Sequence, residues 1–204
     1  MPDADPTLAI ETASRHGEVA LARGDKLIEV ATVPRQRRHG VELMPAIAGL
    51  CGRHGVTPAA LRAVIVSLGP GSFTGLRIAV ATAKMLAMAN ETRVVGVPTI
   101  EALRLTHPGA MVCLNVKRDT AWSAGPVGRG IEPALRTLDD IRSAGLPVVG
   151  EAMDGVDPPR FSAEAVWRVG RDRIAGGASD DPATLAPLYI REPEAVTLWR
   201  ERHG

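Results

Sequence analysis

The chain has 204 residues, enough for one large domain or two small lobes around a sizeable core. Its 24 Lys and Arg nearly cancel its 23 Asp and Glu, leaving a formal net charge of +1 and no global field that would attract nucleic acid. Aromatic residues are 3% of the chain, too few and too scattered for the stacking platform that reads single-stranded RNA.

In chain order, residues 7–13 read as a first strand, 17–23 as a second and 27–33 as a third, with Gly24-Asp25 as the hairpin turn. A basic loop with Arg35, Arg37 and Arg38 follows; it suits a phosphate contact or an ordinary solvated loop. From 39 to 54, Leu43, Ile47, Leu50 and Cys51 fall on one helical face, and His39 suits a capping or surface place. Thr57-Pro58 has the form of an N-cap with proline at N1 of a short turn. A buried strand at 63–68 leads into a glycine-rich loop and a helix over 74–90. Next come a strand at 93–97 and a helix from Pro98 or Thr99 to 106.

The second half echoes this order. A hairpin is expected from 110–116 and 120–127, then a short strand near 133–137, a helical turn at 139–143 and a strand at 146–149. A helix at 162–174 turns Ala165, Val166 and Val169 inward, and short elements follow at 180–185 and 187–191. Meander strands that feed into βα alternation predict an α/β fold of mixed sheets flanked by helices. The expected lobes are 1–106 and a smaller 107–204.

The most informative stretch is Ser67-Leu68-Gly69-Pro70-Gly71-Ser72-Phe73-Thr74-Gly75-Leu76-Arg77. Strand, glycine loop and helix in this order suit an anion at the helix N-terminus, and equally a tight turn with no ligand. No Lys follows the glycines as in a Walker loop, and the spacing is not GxGxxG. Ile10-Glu11-Thr12-Ala13-Ser14 ends the first strand with two hydroxyls and a carboxylate, fit for a phosphate, a Mg²⁺-bound water or a polar turn. The candidate phosphate-binding residues are therefore Thr12, Ser14, Gly69, Gly71, Ser72, Thr74 and Gly75. Arg77 lies in the first helical turn, where the dipole disfavours a cation, so it needs a carboxylate, carbonyl or ligand partner.

In the 74–90 helix, Gly75, Ala79, Ala83 and Ala87 form a stripe of small residues, and Leu76, Ile78, Val80, Met85, Leu86 and Met88 cover most of the rest. A helix apolar nearly all round is buried on more than one side, against its own domain or another chain. Catalytic and metal signatures are missing: the five histidines form no HxxxH or HExxH, and Ser72 lacks the GxSxG elbow. Cys51 and Cys113 read as reduced, buried thiols. The N-terminus has no apolar signal region and no run reaches bilayer length, so a cytoplasmic protein with no membrane contact is expected.

Together these residues resemble the TsaB (YeaZ) family. The resemblance rests on Leu8-Ala9-Ile10-Glu11-Thr12, Glu18-Val19-Ala20-Leu21, the Gly69 to Arg77 motif, Val97-Pro98-Thr99-Ile100-Glu101-Ala102-Leu103 and Pro187-Leu188-Tyr189-Ile190-Arg191. It is specific for the first half and thin between Gly125 and Asp181 apart from the late motif. It implies an actin-like, ribonuclease H-like ATPase fold of two lobes. It also implies a non-catalytic scaffold, with no metal, that supports N6-threonylcarbamoyladenosine (t6A) formation at position 37 of tRNA. The implied partners are TsaD, which carries the metal site, and TsaE in a ternary complex, with tRNA met only through that complex. Homodimerisation is a further implication. The helices at 39–54 and 74–90 would supply the interface, with Leu43, Met44, Ile47, Leu76, Ala79, Val80, Ala83 and Met88 as its residues. The chain departs from the family pattern at Glu11, where Asp is usual, at Gly40-Val41 in place of Ser-Glu, and at Asn115-Val116-Lys117 in place of Asp-Ala-Arg. Two alternatives stay open: an enzyme of this fold, either an ATPase that holds ATP or ADP with Mg²⁺ weakly or a peptidase, and a binding module for another partner.

Overall fold

A computed structural model describes residues 5–33, 39–191 and Trp199. The Arg35, Arg37 and Arg38 loop lies outside the described residues, as do the His39 side chain and His203.

The first half forms β1 (Pro6–Glu11), β2 (Gly17–Arg23), β3 (Lys26–Val33), α1 (His39–Arg53), β4 (Ala63–Gly69), α2 (Phe73–Asn90), β5 (Arg93–Pro98) and α3 (Thr99–Thr106). Its five strands make one sheet in the order β3-β2-β1-β4-β5. The meander strands pair antiparallel, while β4 runs parallel to β1 and β5 parallel to β4. Period-two alternation sorts the side chains by size. Leu8, Ile10, Val19, Leu21, Val64 and Val66 pack with α1 and α2. Ala9, Ala20, Ala22 and Ile65 face the other way, where Ala163, Val166 and Trp167 cover them.

The second half adds β6 (Met111–Lys117), β7 (Thr120–Ala124), β8 (Ala134–Thr137), α4 (Leu138–Ser143), β9 (Val148–Gly150) and α5 (Ala163–Ala175). A four-stranded sheet forms in the order β8-β7-β6-β9, with β9 parallel to β6. On one face Val112, Leu114 and Ala124 pack against Ile100 and Leu103 of α3. On the other, Met111, Cys113 and Ala121 pack against Ile141 of α4. Helix α3 is thus wedged between the sheets, because Ala102 faces the first core and Ile100 and Leu103 the second.

The two-sheet α/β architecture expected from the sequence is the one that forms, with local differences. The first strand ends at Glu11 rather than 13, because the Glu11 carboxylate accepts the Ala13 N–H and turns the chain. The strand expected over 120–127 stops at Ala124, since Gly125 N–H donates to Ile131 O and Pro126 has no N–H. Thr57 precedes a short 3₁₀ turn at Pro58–Ala60 without a side-chain cap. Residues 180–185 make a turn held by Asp181, preceded by a bridge from Asp180 to Val94 on the β5 edge. Position 106/107 falls between α3 and β6, while α5 and the chain beyond it return to the first sheet. Among the described residues, no helix is long and apolar enough to cross a membrane.

Candidate functional site

The β4–α2 loop is packed onto the β1–β2 turn by its own polar groups. Thr12 Oγ1 donates to Gly75 O at 2.9 Å, and Ser72 N donates to Ala13 O at 2.6 Å. Ser72 caps α2, its Oγ accepting from Gly75 N at 3.3 Å. A Cβ at Gly75 would overlap the Thr12 carbonyl oxygen, and one at Gly71 would overlap Ala13. These glycines let two backbones touch. Ser14 Oγ is engaged in its own turn, donating to His16 O and accepting from His16 N. Gly69 N donates to Thr99 Oγ1 at 3.0 Å, and Thr74 is exposed on α2. Of the candidate phosphate residues, the structure brings Thr12, Gly71, Ser72 and Gly75 together, with Thr12 and Ser72 both bonded to Gly75 and Gly71 packed on Ala13.

Arg77 has a partner of a kind its helix position did not suggest. Its Nε donates to Tyr189 Oη at 2.9 Å, and its guanidinium lies 3.8 Å from the Phe73 ring centroid. The phenol is supplied from 112 residues further along the chain.

Between the two sheets lies a cleft of about 340 Å³, lined by Gly71, Phe73, Asn115, Glu151, Tyr189 and Arg191 among others. A neighbouring cavity of about 380 Å³, lined by Ser14, Arg15, His16, Glu18 and Arg160, shares Glu151 with it. Glu11, at the end of β1, is 1% exposed. Burial pushes its carboxyl up from the ordinary 4.5 to about 7, although the Ala13 N–H favours the charged form. Ser67 Oγ also lowers it, without meeting full hydrogen-bond geometry, and the charges of Glu18 and Glu151 raise it. Burial raises Glu151 as well, opposed by Arg15. Sequence reasoning found Glu11 but missed Glu18, its cross-strand partner in the β1–β2 hairpin, and Glu151, which no spacing rule connects to it. Among the described residues, no group of three or more His, Cys, Asp or Glu is placed to hold a metal ion. Cys51 and Cys113 are buried; desolvation raises both thiols, Cys113 to about 11, which keeps them protonated.

The expected interface needs correction. Leu43, Ile47, Leu76, Ala79, Val80 and Ala83 are all buried in the chain's own core, and Met44 is partly buried against it. The small-residue stripe of α2 faces inward, where it lets the helix lie close to β4 and α1. Of the eight residues only Met88 is exposed, at 68%. The exposed residues of the two helices include instead Val41, Pro45 and Ala48 on α1 and Arg77, Ala81, Met85 and Met88 on α2. The burial pattern was readable from the helical period, but the period alone does not say which apolar stripe faces inward.

Residues 6–116 match the family model described as TsaD: tRNA N6-adenosine threonylcarbamoyltransferase. An uncharacterized protein of Mycobacterium tuberculosis strain H37Rv is 31% identical over 205 residues, covering 94% of each chain. The tRNA threonylcarbamoyladenosine biosynthesis protein TsaB of Bacillus subtilis is 35% identical over 96 residues, 47% of this chain and 42% of that protein. YeaZ from Pseudomonas aeruginosa superposes with a TM-score of 0.73 over 91% of this chain and 100% of that one, at 20% identity, and so shares its fold. The chain belongs to the family that this model describes, as a TsaB/YeaZ-like member of the actin-like ATPase superfamily.

Proposed function

We propose that this chain is a non-catalytic partner subunit in t6A formation on tRNA, pairing with a TsaD-type threonylcarbamoyltransferase through the outer face of α1 and α2. The observation that carries the reading is the family match over residues 6–116, which spans the first sheet and both helices. The outer face supports it. Val41, Met85 and Met88 are 58%, 57% and 68% exposed, and Pro45, Ala48 and Ala81 are exposed and uncharged. Exposed apolar residues on two packed helices suit a helical partner, and methionine adapts to its shape. In this reading TsaE joins the pair, tRNA is met only through the complex, the same face serves a homodimer when the partner is absent, and the work is done in the cytoplasm.

Light scattering after size-exclusion chromatography tests it, on the chain alone and mixed with the same organism's TsaD. A one-to-one complex is expected, and a Met85→Glu/Met88→Glu double variant should abolish it with an unchanged circular dichroism spectrum. Reconstituted t6A synthesis should need both proteins. No complex at high concentration, or one indifferent to the double variant, would overturn the assignment. Charges at Ala79 or Ala83 would be a poor test, since both are fully buried and the monomer itself would suffer.

A second reading, binding of ATP or ADP with Mg²⁺, is favoured by the cleft between the sheets and its neighbour with Ser14, Arg15 and Arg160. Calorimetry separates the two: micromolar binding with turnover would support an enzyme, and no heat with Mg-ATP would leave the scaffold.

A further inference from the structure

We infer that residues 187–191 act as a clasp that ties the second sheet to the first turn of α2 and so sets the width of the cleft between the sheets. The chain approaches from the first core, where Leu185 is buried and Lys84 of α2 donates to the carbonyls of Ala183 and Leu185 at 3.1 and 3.2 Å. Leu188 N then donates to Leu68 O at 2.7 Å, at the end of β4. A side chain at Gly69, whose φ is +110°, would crowd Leu188 O and Leu76. One residue on, Tyr189 accepts from Arg77 and lies with its ring centroid 5.7 Å from that of Phe73. Arg191 crosses to the second sheet, where its Nη2 donates to Thr120 Oγ1 at 2.7 Å and Thr120 O at 3.3 Å, at the start of β7. The glycine loop and the late Pro187 to Arg191 motif, distant in sequence, are thus one structural unit.

This attachment is built to be releasable. Among the described residues it reaches the second sheet through Nη2 of Arg191, and the buried Nε of the same side chain has no acceptor there. An unmet buried donor favours any movement that hydrates it. The junction through α3 is held more firmly: Ile100 and Leu103 pack into the second sheet, and the buried Arg104 donates from Nε to Gly125 O at 2.8 Å. Leu188, Tyr189, Ile190 and Arg191 all line the cleft, so release would open it along one wall. A consequence for docking rests on the pairing reading above: Arg77 lies at helical spacing from Ala81, Met85 and Met88 on the exposed side of α2, so the clasp also fixes one end of that face.

Hydrogen–deuterium exchange on the full chain tests the clasp without any partner, so a failure of pairing leaves its result intact. Arg191→Ala should speed exchange in β6, β7 and β8 by about tenfold while β1 and β4 keep the wild-type rate. Thr120→Val, which keeps the fold's shape and removes only the hydroxyl, should give a smaller acceleration in the same strands. Unchanged exchange in β6 and β7 in both variants would overturn the clasp. Equal acceleration in β1 and β4 would overturn it too, because it would mark a general loss of stability.

Discussion

In the first sheet, β1 and β4 send Leu8, Ile10, Val64 and Val66 towards two long helices and Ala9 and Ile65 towards a third. In the second, β6 sends Val112 and Leu114 towards α3, a helix anchored in the first half, and Met111 and Cys113 towards the six-residue α4. The same alternation operates in both. The first sheet is covered by long helices on both faces, one of them α5 from the second half, whereas the second shares α3 with the first sheet and has only the short α4 on its other face. The difference teaches where independence ends: a sheet with short strands and a one-turn helix holds its place only through α3 and the chain crossing back to it.

The comparison is broken most forcefully at the two cores. Ile65→Ala should cost about 4 kcal/mol and Leu114→Ala about 3 kcal/mol, since both are fully buried. The sharper expectation is qualitative. Ile65→Ala should lower one cooperative urea transition of the whole chain, while Leu114→Ala should expose the second sheet first, as an early transition in exchange or tryptophan fluorescence at Trp122. A single shared transition for Leu114→Ala would erase the distinction.

A pH titration probes the buried end of β1. The Glu11 pKa is raised from 4.5 to about 7, so the folded state binds more protons than the unfolded one between those values. Its favourable contribution is complete below about 4.5 and lost as pH rises through about 7, a change of about 3 kcal/mol. Urea midpoints at pH 5 and pH 8 should differ accordingly, and Glu11→Gln should flatten the slope. A wild type with equal midpoints would mean Glu11 ionises freely.

Gly75→Ala should cost about 2 kcal/mol by forcing α2 away from the β1–β2 turn, because the new Cβ meets a backbone oxygen that has no rotamer to retreat to. The smallest effect is expected at Thr137, where a capping box with Asp140 starts α4. Thr137→Ala should cost about 1 kcal/mol. Its increase in exchange should stay within β8 and α4, a local response that would sharpen the contrast with Ile65.

Much of this fold was legible because the forces that make it are local. The helix expected at 74–90 runs from Phe73 to Asn90, since Ser72 caps it and no breaker interrupts it. The turn at Glu11 and the stop at Ala124 were misjudged by two or three residues, because a side-chain-to-backbone bond and a glycine–proline pair override strand propensity. The site was less legible. The glycine motif stood out as Gly69 to Gly75, but whether its amides faced an anion or Ala13 depended on how closely the β1–β2 turn approached.

By itself the sequence determined the strands and helices, the small-residue stripe of α2 and the family, because periodicity, capping and motif spacing are properties of neighbouring residues. Only the tertiary structure decided that the stripe faces inward, that Tyr189 is the partner of Arg77, and that Glu151 comes near Glu11 and Glu18. Each of these is a meeting of side chains far apart in the chain. Such meetings are set by which faces must be buried together, and no local pattern records that.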